Sequence, residues 1–324
     1  MAIYIDISAA VHGRAGLGRY AESLARALVR EYPERFAFFY NRDREASPLA
    51  GLESVPTRTV RAGYKPWRMA VWLGQLLRLS FERLVPEAEL YHATEHLLLP
   101  LKRVPTVLTV HDLIYRLFPE YHKPLNYWFL NQVMPLFVQR ARTVIAVSES
   151  TRQDLIRCYG VHPDKITVVH EAAAPHFRPA SPEAIATVRA RYRLPEGFIL
   201  TVGTIEPRKN LSRLLDALQQ LQQKGDDAWL VVVGSKGWLY EGFFRHLEEL
   251  QLGDTVLLPG YVPDADLPAV YSAATLCVYS HRFTKASASR CWRLWPAARR
   301  WCAAALRACQ RWAGTQPVIS TPPT

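Results

Sequence analysis

Short apolar runs alternate with longer amphipathic stretches through most of the chain, the pattern of βα units built around parallel sheets. The strand-like runs of the first half are AIYIDIS, RFAFFYN, LYHAT, PTVLTVHD and TVIAVS. Between them lie helical stretches such as GRYAESLARALVREY, which places Tyr20, Leu24, Leu28 and Val29 on one face. A second set begins near Gly197, with strands in FILTVGT, WLVVVGS and TVLLPGYV and helices in LSRLLDALQQLQQK and EGFFRHLEELQ. The polar, proline-bearing stretch HEAAAPHFRPASPEAIATVRARYRLPEG separates the sets and holds one helix. The predicted organisation is an N-terminal domain over residues 1–171, a linker over 172–195 and a second domain over 196–280. Both domains are α/β, doubly wound and Rossmann-like. Two such sheets facing each other form a cleft at the carboxyl ends of their strands, so the residues after each strand are the ones to weigh.

Composition sharpens this picture at the C-terminus. The chain has 324 residues and a net charge of +11. Residues 281–324 hold seven arginines, Lys285 and no acidic residue, which leaves +3 for all that precedes. They also hold four of nine tryptophans and three of five cysteines. Basicity therefore belongs to one segment and is not an argument that the whole chain binds nucleic acid. The cysteines lack CxxC spacing and nearby histidines, so neither a disulfide framework nor a metal site is expected. No run reaches the about 18 apolar residues of a membrane span. The start MAIYIDISAA reads as a buried strand and not as a leader. A cytoplasmic chain is expected.

Three places carry candidate chemistry. HGRAGLGRY puts Gly13, Gly16 and Gly18 between the first strand and a helix, where backbone N–H groups can approach a phosphate or sugar; a plain tight turn explains them equally well. His111 follows TVLTV at a strand's carboxyl end, where it is either a ligand contact or a structural histidine, and His92, His96 and His170 share that ambiguity. The most informative stretch is ILTVGTIEPRKNLSRLLDAL. Gly203 opens a loop in which Arg208 and Lys209 precede a helix that Asn210 or Ser212 could cap, and two cations there suit a diphosphate. Glu206 would neutralise part of that charge.

These motifs, in order, resemble family 4 glycosyltransferases, retaining enzymes of the glycosyltransferase-B fold. The resemblance runs from about Ile3 to Tyr279 through GRAGLGRY, TVHDL, AVSESTRQDLIRCYGVHPDKITVV, VGTIEPRKNL, VVVGSKGW and LPGYVPDADLPAVYSAA. The pair VGTIEPRKN and GSKGW looks most like bacterial mannosyl- or rhamnosyltransferases of surface polysaccharide synthesis. The resemblance implies a nucleotide-sugar donor, mannose-like, and a glycan or lipid-linked acceptor. It implies peripheral association with the inner face of the plasma membrane, no metal and no nucleic acid partner. It assigns Arg208, Lys209 and Gly203 to the donor diphosphate, together with Gly16 and Gly18. His111 is assigned to the transferred sugar as the catalytic residue, and Tyr261 and Val262 to the nucleobase, partly through backbone. Thr204 stands where many members have an arginine, leaving Arg208 and Lys209 as the main cations. Competing readings are a remnant that binds nucleotide without turnover and a polynucleotide binder using the Arg/Trp tail.

After Tyr279 the resemblance breaks. Family members continue into a glutamate, a glycine-rich turn and a helix with a second glutamate eight positions on, whereas this chain has no acidic residue after Asp266. With permissible codons for Phe283–Cys302, reading from the third base gives Y-E-G-F-G-L-P-V-L-E-A-M-A-C-G-T-P-V-V. The expectation is that residues 281–324 are an aberrant tail from a one-base shift. The second sheet should then be incomplete, with its edge open.

Overall fold

A computed structural model describes residues 2–43, 48–280 and 301–303. Apart from its one short strand, the tail expected over 281–324 lies outside the described residues. The chain divides into two compact units, Met1–Glu171 and Ala172–Thr324.

Unit 1 is built on seven parallel strands: β1 (Ala2–Asp6), β2 (Phe36–Arg42), β3 (Thr57–Arg61), β4 (Ala88–Ala93), β5 (Thr106–Val110), β6 (Thr143–Ala146) and β7 (Ile166–Val168). Their order is β3-β2-β1-β4-β5-β6-β7. The central strands are near-continuous apolar runs because both faces are covered, as in β2, where Phe36 to Asn41 are all buried. β3, TRTVR, is an edge strand with four exposed residues and no apolar signature. The helices are α1 (Ser8–Val11), α2 (Ala15–Glu31), α3 (Tyr64–Leu76), α4 (Ile114–Leu117), α5 (Pro124–Arg140) and α6 (Glu149–Tyr159). Ser148 caps α6 by accepting from the Thr151 N–H, and Gly160 ends that helix in the left-handed region.

Unit 2 carries a smaller parallel sheet of order β10-β9-β8-β11-β12. Its strands are β8 (Ile199–Val202), β9 (Leu230–Val233), β10 (Val256–Gly260), β11 (Leu276–Tyr279) and β12 (Trp301–Ala303). Its helices are α7 (Pro182–Tyr192), α8 (Leu211–Gln223), α9 (Glu241–Glu249) and α10 (Leu267–Ala273). The stretch 172–195 holds the anticipated helix, α7, but packs into this unit: Phe177, Val188 and Leu194 join the core with Phe198, Leu200 and Val270. The open edge expected beside Tyr279 is corrected here. β12 pairs in parallel with β11, Cys277 opposite Trp301 and Tyr279 opposite Ala303.

The turn after β1 also departs from the sequence reading. The chain enters α1 directly, Gly13 turns it at φ +61°, and α2 starts at Ala15. Gly16 and Gly18 therefore sit in the first turn of a helix and not in a loop ahead of it. Gly18 is buried, and a Cβ there would lie 2.7 Å from the Ala9 carbonyl oxygen. Its role is steric: α2 can lie against α1 only with a hydrogen at that point. Gly18, Ala21 and Ala25 form the close-packed stripe of α2, with Tyr20, Leu24, Leu28 and Val29 half-buried beside it.

Candidate functional site

In unit 1 the candidate residues gather at the carboxyl ends of β1, β4 and β5. His111, first residue after β5, is buried with both ring nitrogens engaged. Its Nδ1 lies 2.9 Å from Glu171 Oε1 and its Nε2 lies 3.0 Å from the Thr94 carbonyl oxygen. Both partners are oxygen acceptors, so both nitrogens are satisfied only when both donate. The edge of Tyr20 meets the imidazole in a T-shaped contact at 4.6 Å. Thr151 fixes the backbone here by donating to the His111 carbonyl oxygen.

Around His111 stands a shell of buried polar groups. The Asp6 carboxylate accepts from the Ser8 N–H at 2.8 Å and the Tyr91 hydroxyl at 2.7 Å, and burial with Glu95 nearby pushes its carboxyl up to about 6. His92 meets the Thr109 hydroxyl at 2.8 Å, and burial lowers its ring to about 4. His96 is lowered likewise by burial, to about 4, and its Nδ1 is buried without a hydrogen-bond partner. Arg14 donates to Glu95 at 2.6 Å and lies over the Tyr64 ring. His170 sits apart, Nδ1 3.4 Å from the Val147 carbonyl oxygen.

Of the two glycines expected beside a phosphate, Gly16 is exposed with open space around its Cα. No side chain caps α2, so its first turn presents backbone N–H groups to an anion.

In unit 2, β8 delivers Gly203, and a short 3-10 turn over Pro207–Lys209 leads into α8. Asn210 occupies the N-cap in the left-handed region without a side-chain cap bond, so neither capping expectation is realised through a side chain. Glu206, which sequence reasoning misses as a site residue, organises the loop. Its buried carboxylate accepts from Arg208 Nε and has Lys209 Nζ at 3.9 Å, while its Oε2 has no partner. Arg208 also lies over the Trp238 ring at 5.5 Å. The buried Lys209 lines a shallow hollow with Thr201, Gly203, Leu211, Tyr279 and Ser280, and the Ser280 hydroxyl donates to its carbonyl oxygen at 2.7 Å.

VGTIEPRKN and GSKGW form one structural unit. Ile205 pairs with Lys236, the Ile205 N–H donating to the Ser235 carbonyl and the Gly237 N–H to the Ile205 carbonyl, both at 3.0 Å. A Cβ at Gly234 would lie 2.2 Å from the Gly203 carbonyl oxygen, and one at Gly237 2.9 Å from that of Ile205. The second motif is glycine-bearing so that the cation loop can lie on it. That signal, G-x-x-G facing a strand-end loop, is present in the sequence; nothing in the sequence marks the role of Glu206.

Tyr261 and Val262 follow β10 and separate. Tyr261 is exposed, whereas Val262 is buried in the unit 2 core. The Val262 side chain is thus a packing residue, and a ligand could meet only its backbone.

Among the described residues no cluster of three His, Cys, Asp or Glu side chains could hold a metal ion, and no helix is long and apolar enough to cross a membrane.

Comparison with known proteins agrees with this architecture. Residues 14–175, half of the chain, match the Glycosyltransferase Family 4 model, and residues 187–285 match Glycosyl transferases group 1. O-antigen chain mannosyltransferase B of Escherichia coli is 28% identical over 280 residues, covering 82% of this chain and 72% of that protein. The serotype-specific mannosyltransferase WbdA of Escherichia coli is 30% identical over 191 residues, 56% of this chain and 23% of its own length. Anabaena HepE, solved with UDP-glucose, superimposes with a TM-score of 0.71 at 18% identity, covering 99% of this chain and 86% of its own. This fold likeness and the two family matches place the strand-end residues above in a known architecture: the chain belongs to glycosyltransferase family 4 and is a glycosyltransferase of the glycosyltransferase-B fold.

Proposed function

We propose that the chain transfers a mannose-like sugar from a nucleotide diphosphate donor to a glycan or lipid-linked acceptor in surface polysaccharide synthesis. The observation that carries the donor half is the loop after β8, where Glu206 holds Arg208 and Lys209 side by side ahead of α8. The sugar rests on the two mannosyltransferase relatives, and guanosine is the base to test first. An incoming diphosphate competes with Glu206 for Arg208, and the cations balance the charge that develops as the diphosphate leaves. One such well-placed donor contributes about 3–4 kcal/mol to transition-state stabilisation.

In this reading Gly203 and the open first turn at Gly16 approach the donor phosphates through backbone, with Gly18 fixing the helix that carries that turn. His111 contacts the transferred sugar, Tyr261 and the Val262 backbone take the nucleobase, and the acceptor proton leaves with the departing phosphate. Transfer proceeds with retention, without a protein nucleophile, metal or nucleic acid partner, at the cytoplasmic face of the membrane.

Calorimetry with GDP tests the donor site. Arg208→Ala with Lys209→Ala should abolish binding in a folded chain, and unchanged affinity sinks the assignment. Proton NMR of the first product reads the anomeric outcome, and activity lost to a chelator and restored by a divalent ion refutes metal independence. Binding without transfer would leave the nucleotide-binding remnant as the better reading.

A further inference from the structure

α3 is apolar on two opposite faces. Trp67, Val71 and Gly74 point into unit 1, as an amphipathic surface helix requires. Met69, Leu73, Leu76 and Leu77 recur at i, i+4, i+7 and i+8 on the far side and are exposed, Leu77 at 68%. The stripe does not end with the helix. Trp72 meets Trp128 of α5 edge to face at 5.4 Å, and α5 adds Trp128 and Leu125, the latter 83% exposed. Six large apolar side chains on two packed helices form a patch larger than the scattered exposure of ordinary surfaces.

The two helices themselves carry charge of one sign, with acidic residues only at the borders of these stretches, at Glu82 and the exposed Glu120. Residues 61–81 contain Arg61, Lys65, Arg68 and Arg78 and no acidic residue, and residues 121–142 contain Lys123, Arg140 and Arg142 and again none. Lys65, Arg78 and Lys123 are exposed beside the patch. A second copy of the same face would bring cations against cations. A surface of anionic lipid headgroups neutralises them while its acyl region takes the leucines and Trp128, the arrangement of an interfacial helix.

We infer that the α3–α5 face of unit 1 docks on an anionic lipid bilayer. The inference names the surface for the membrane association proposed above, but rests on exposure and charge and not on donor chemistry, so nucleotide binding serves as an independent readout.

The experiment is co-sedimentation of the full chain with vesicles of phosphatidylcholine alone, and of phosphatidylcholine with phosphatidylglycerol. The chain should pellet with the anionic vesicles, remain largely in solution with the neutral ones, and release as salt is raised. Leu73→Glu with Leu77→Glu lies on exposed positions, should fold and bind GDP as the parent does, and should lose at least ten-fold in vesicle affinity. Brominated lipid should quench the parent more than Trp128→Phe. A parent chain that stays in solution with anionic vesicles overturns the inference, as does a double variant that pellets equally well. A vesicle-free dimer that the double variant converts to monomer overturns it too, in favour of a second copy on this face.

Discussion

His111 Nδ1 lies 2.9 Å from Glu171 Oε1, the histidine buried and the glutamate half-buried. The His111 ring, which in the proposed function contacts the transferred sugar, is thereby held in one orientation by a carboxylate from the last residue of unit 1. Glu171→Gln keeps the shape and removes the charge, and a charge-assisted hydrogen bond of this kind contributes about 1.5–3 kcal/mol. We expect kcat to fall by about ten-fold or more while GDP affinity is unchanged, with His111→Ala falling further. A Glu171→Gln chain with the parent's kcat would reduce this contact to a packing detail.

The two glycines of the α2 first turn separate a structural from a functional role. Gly18→Ala drives a methyl against the Ala9 carbonyl, a backbone atom that cannot step aside. A loss of about 1–3 kcal/mol in urea unfolding is expected, the usual range for overpacking. Gly16→Ala meets no atom within 4 Å and should leave stability unchanged or raise it slightly. If the first turn of α2 approaches donor phosphate, Gly16→Ala still weakens GDP–mannose binding. Equal stability losses at both positions would contradict the packing described here.

The buried shell of unit 1 sets how stability responds to acid. Asp6 is raised from 3.8 to about 6 by burial first and then by Glu95. Its contribution is complete below the ordinary value and lost as pH rises through about 6, and is worth about 3 kcal/mol at about 1.4 kcal/mol per unit. His92 is lowered from 6.5 to about 4 by burial and then by His111. Its contribution is complete above 6.5, lost as pH falls through about 4, and similar in size. His96 acts in the same direction as His92. Two histidines outweigh one aspartate, so urea unfolding should show stability falling between about pH 6.5 and 4. Asp6→Asn removes the opposing contribution and steepens the fall, and His92→Gln makes it shallower. Parallel curves for all three chains would show that these groups do not govern the response.

Strand ends make much of the candidate site legible in the amino-acid sequence. β5 presents His111 and β8 presents Gly203, because a buried parallel strand announces itself as an apolar run and its last residue marks the ligand side. Glu206 and Glu171 are not legible as site residues. An acidic residue beside cations reads as solvated charge until burial is known, and the approach of Glu171 to His111 crosses 60 residues of sequence. Gly18 misleads for the same reason: its constraint is the Ala9 carbonyl, a neighbour that spacing does not reveal. β3 escapes because a charged edge strand carries no apolar period.

β12 bears on the frame of the tail. Trp301–Ala303 lies parallel to β11, so residues 280–300 connect two adjacent parallel strands, a crossover that ordinarily takes a dozen or more residues and a helix. Read from the third base of each codon, this connection carries the glycine-rich turn and both glutamates that residues 281–300 lack. The two valines closing that reading fall on the codons of Trp301 and Cys302, where β12 forms, and β-branched residues suit a strand beside an apolar neighbour. The tryptophan codons leave no freedom in the reading, and the second and third bases of each shifted codon are the first two of an original codon, which the protein sequence largely dictates. We expect sequencing of the gene across the codons of Tyr279–Phe283 to show one base gained or lost. Restoring the frame should raise the unfolding midpoint and, if donor hydroxyls are held by those glutamates, raise transfer as well. A confirmed frame, with a 324-residue product that unfolds cooperatively and transfers sugar at the rate of the reframed chain, would refute it.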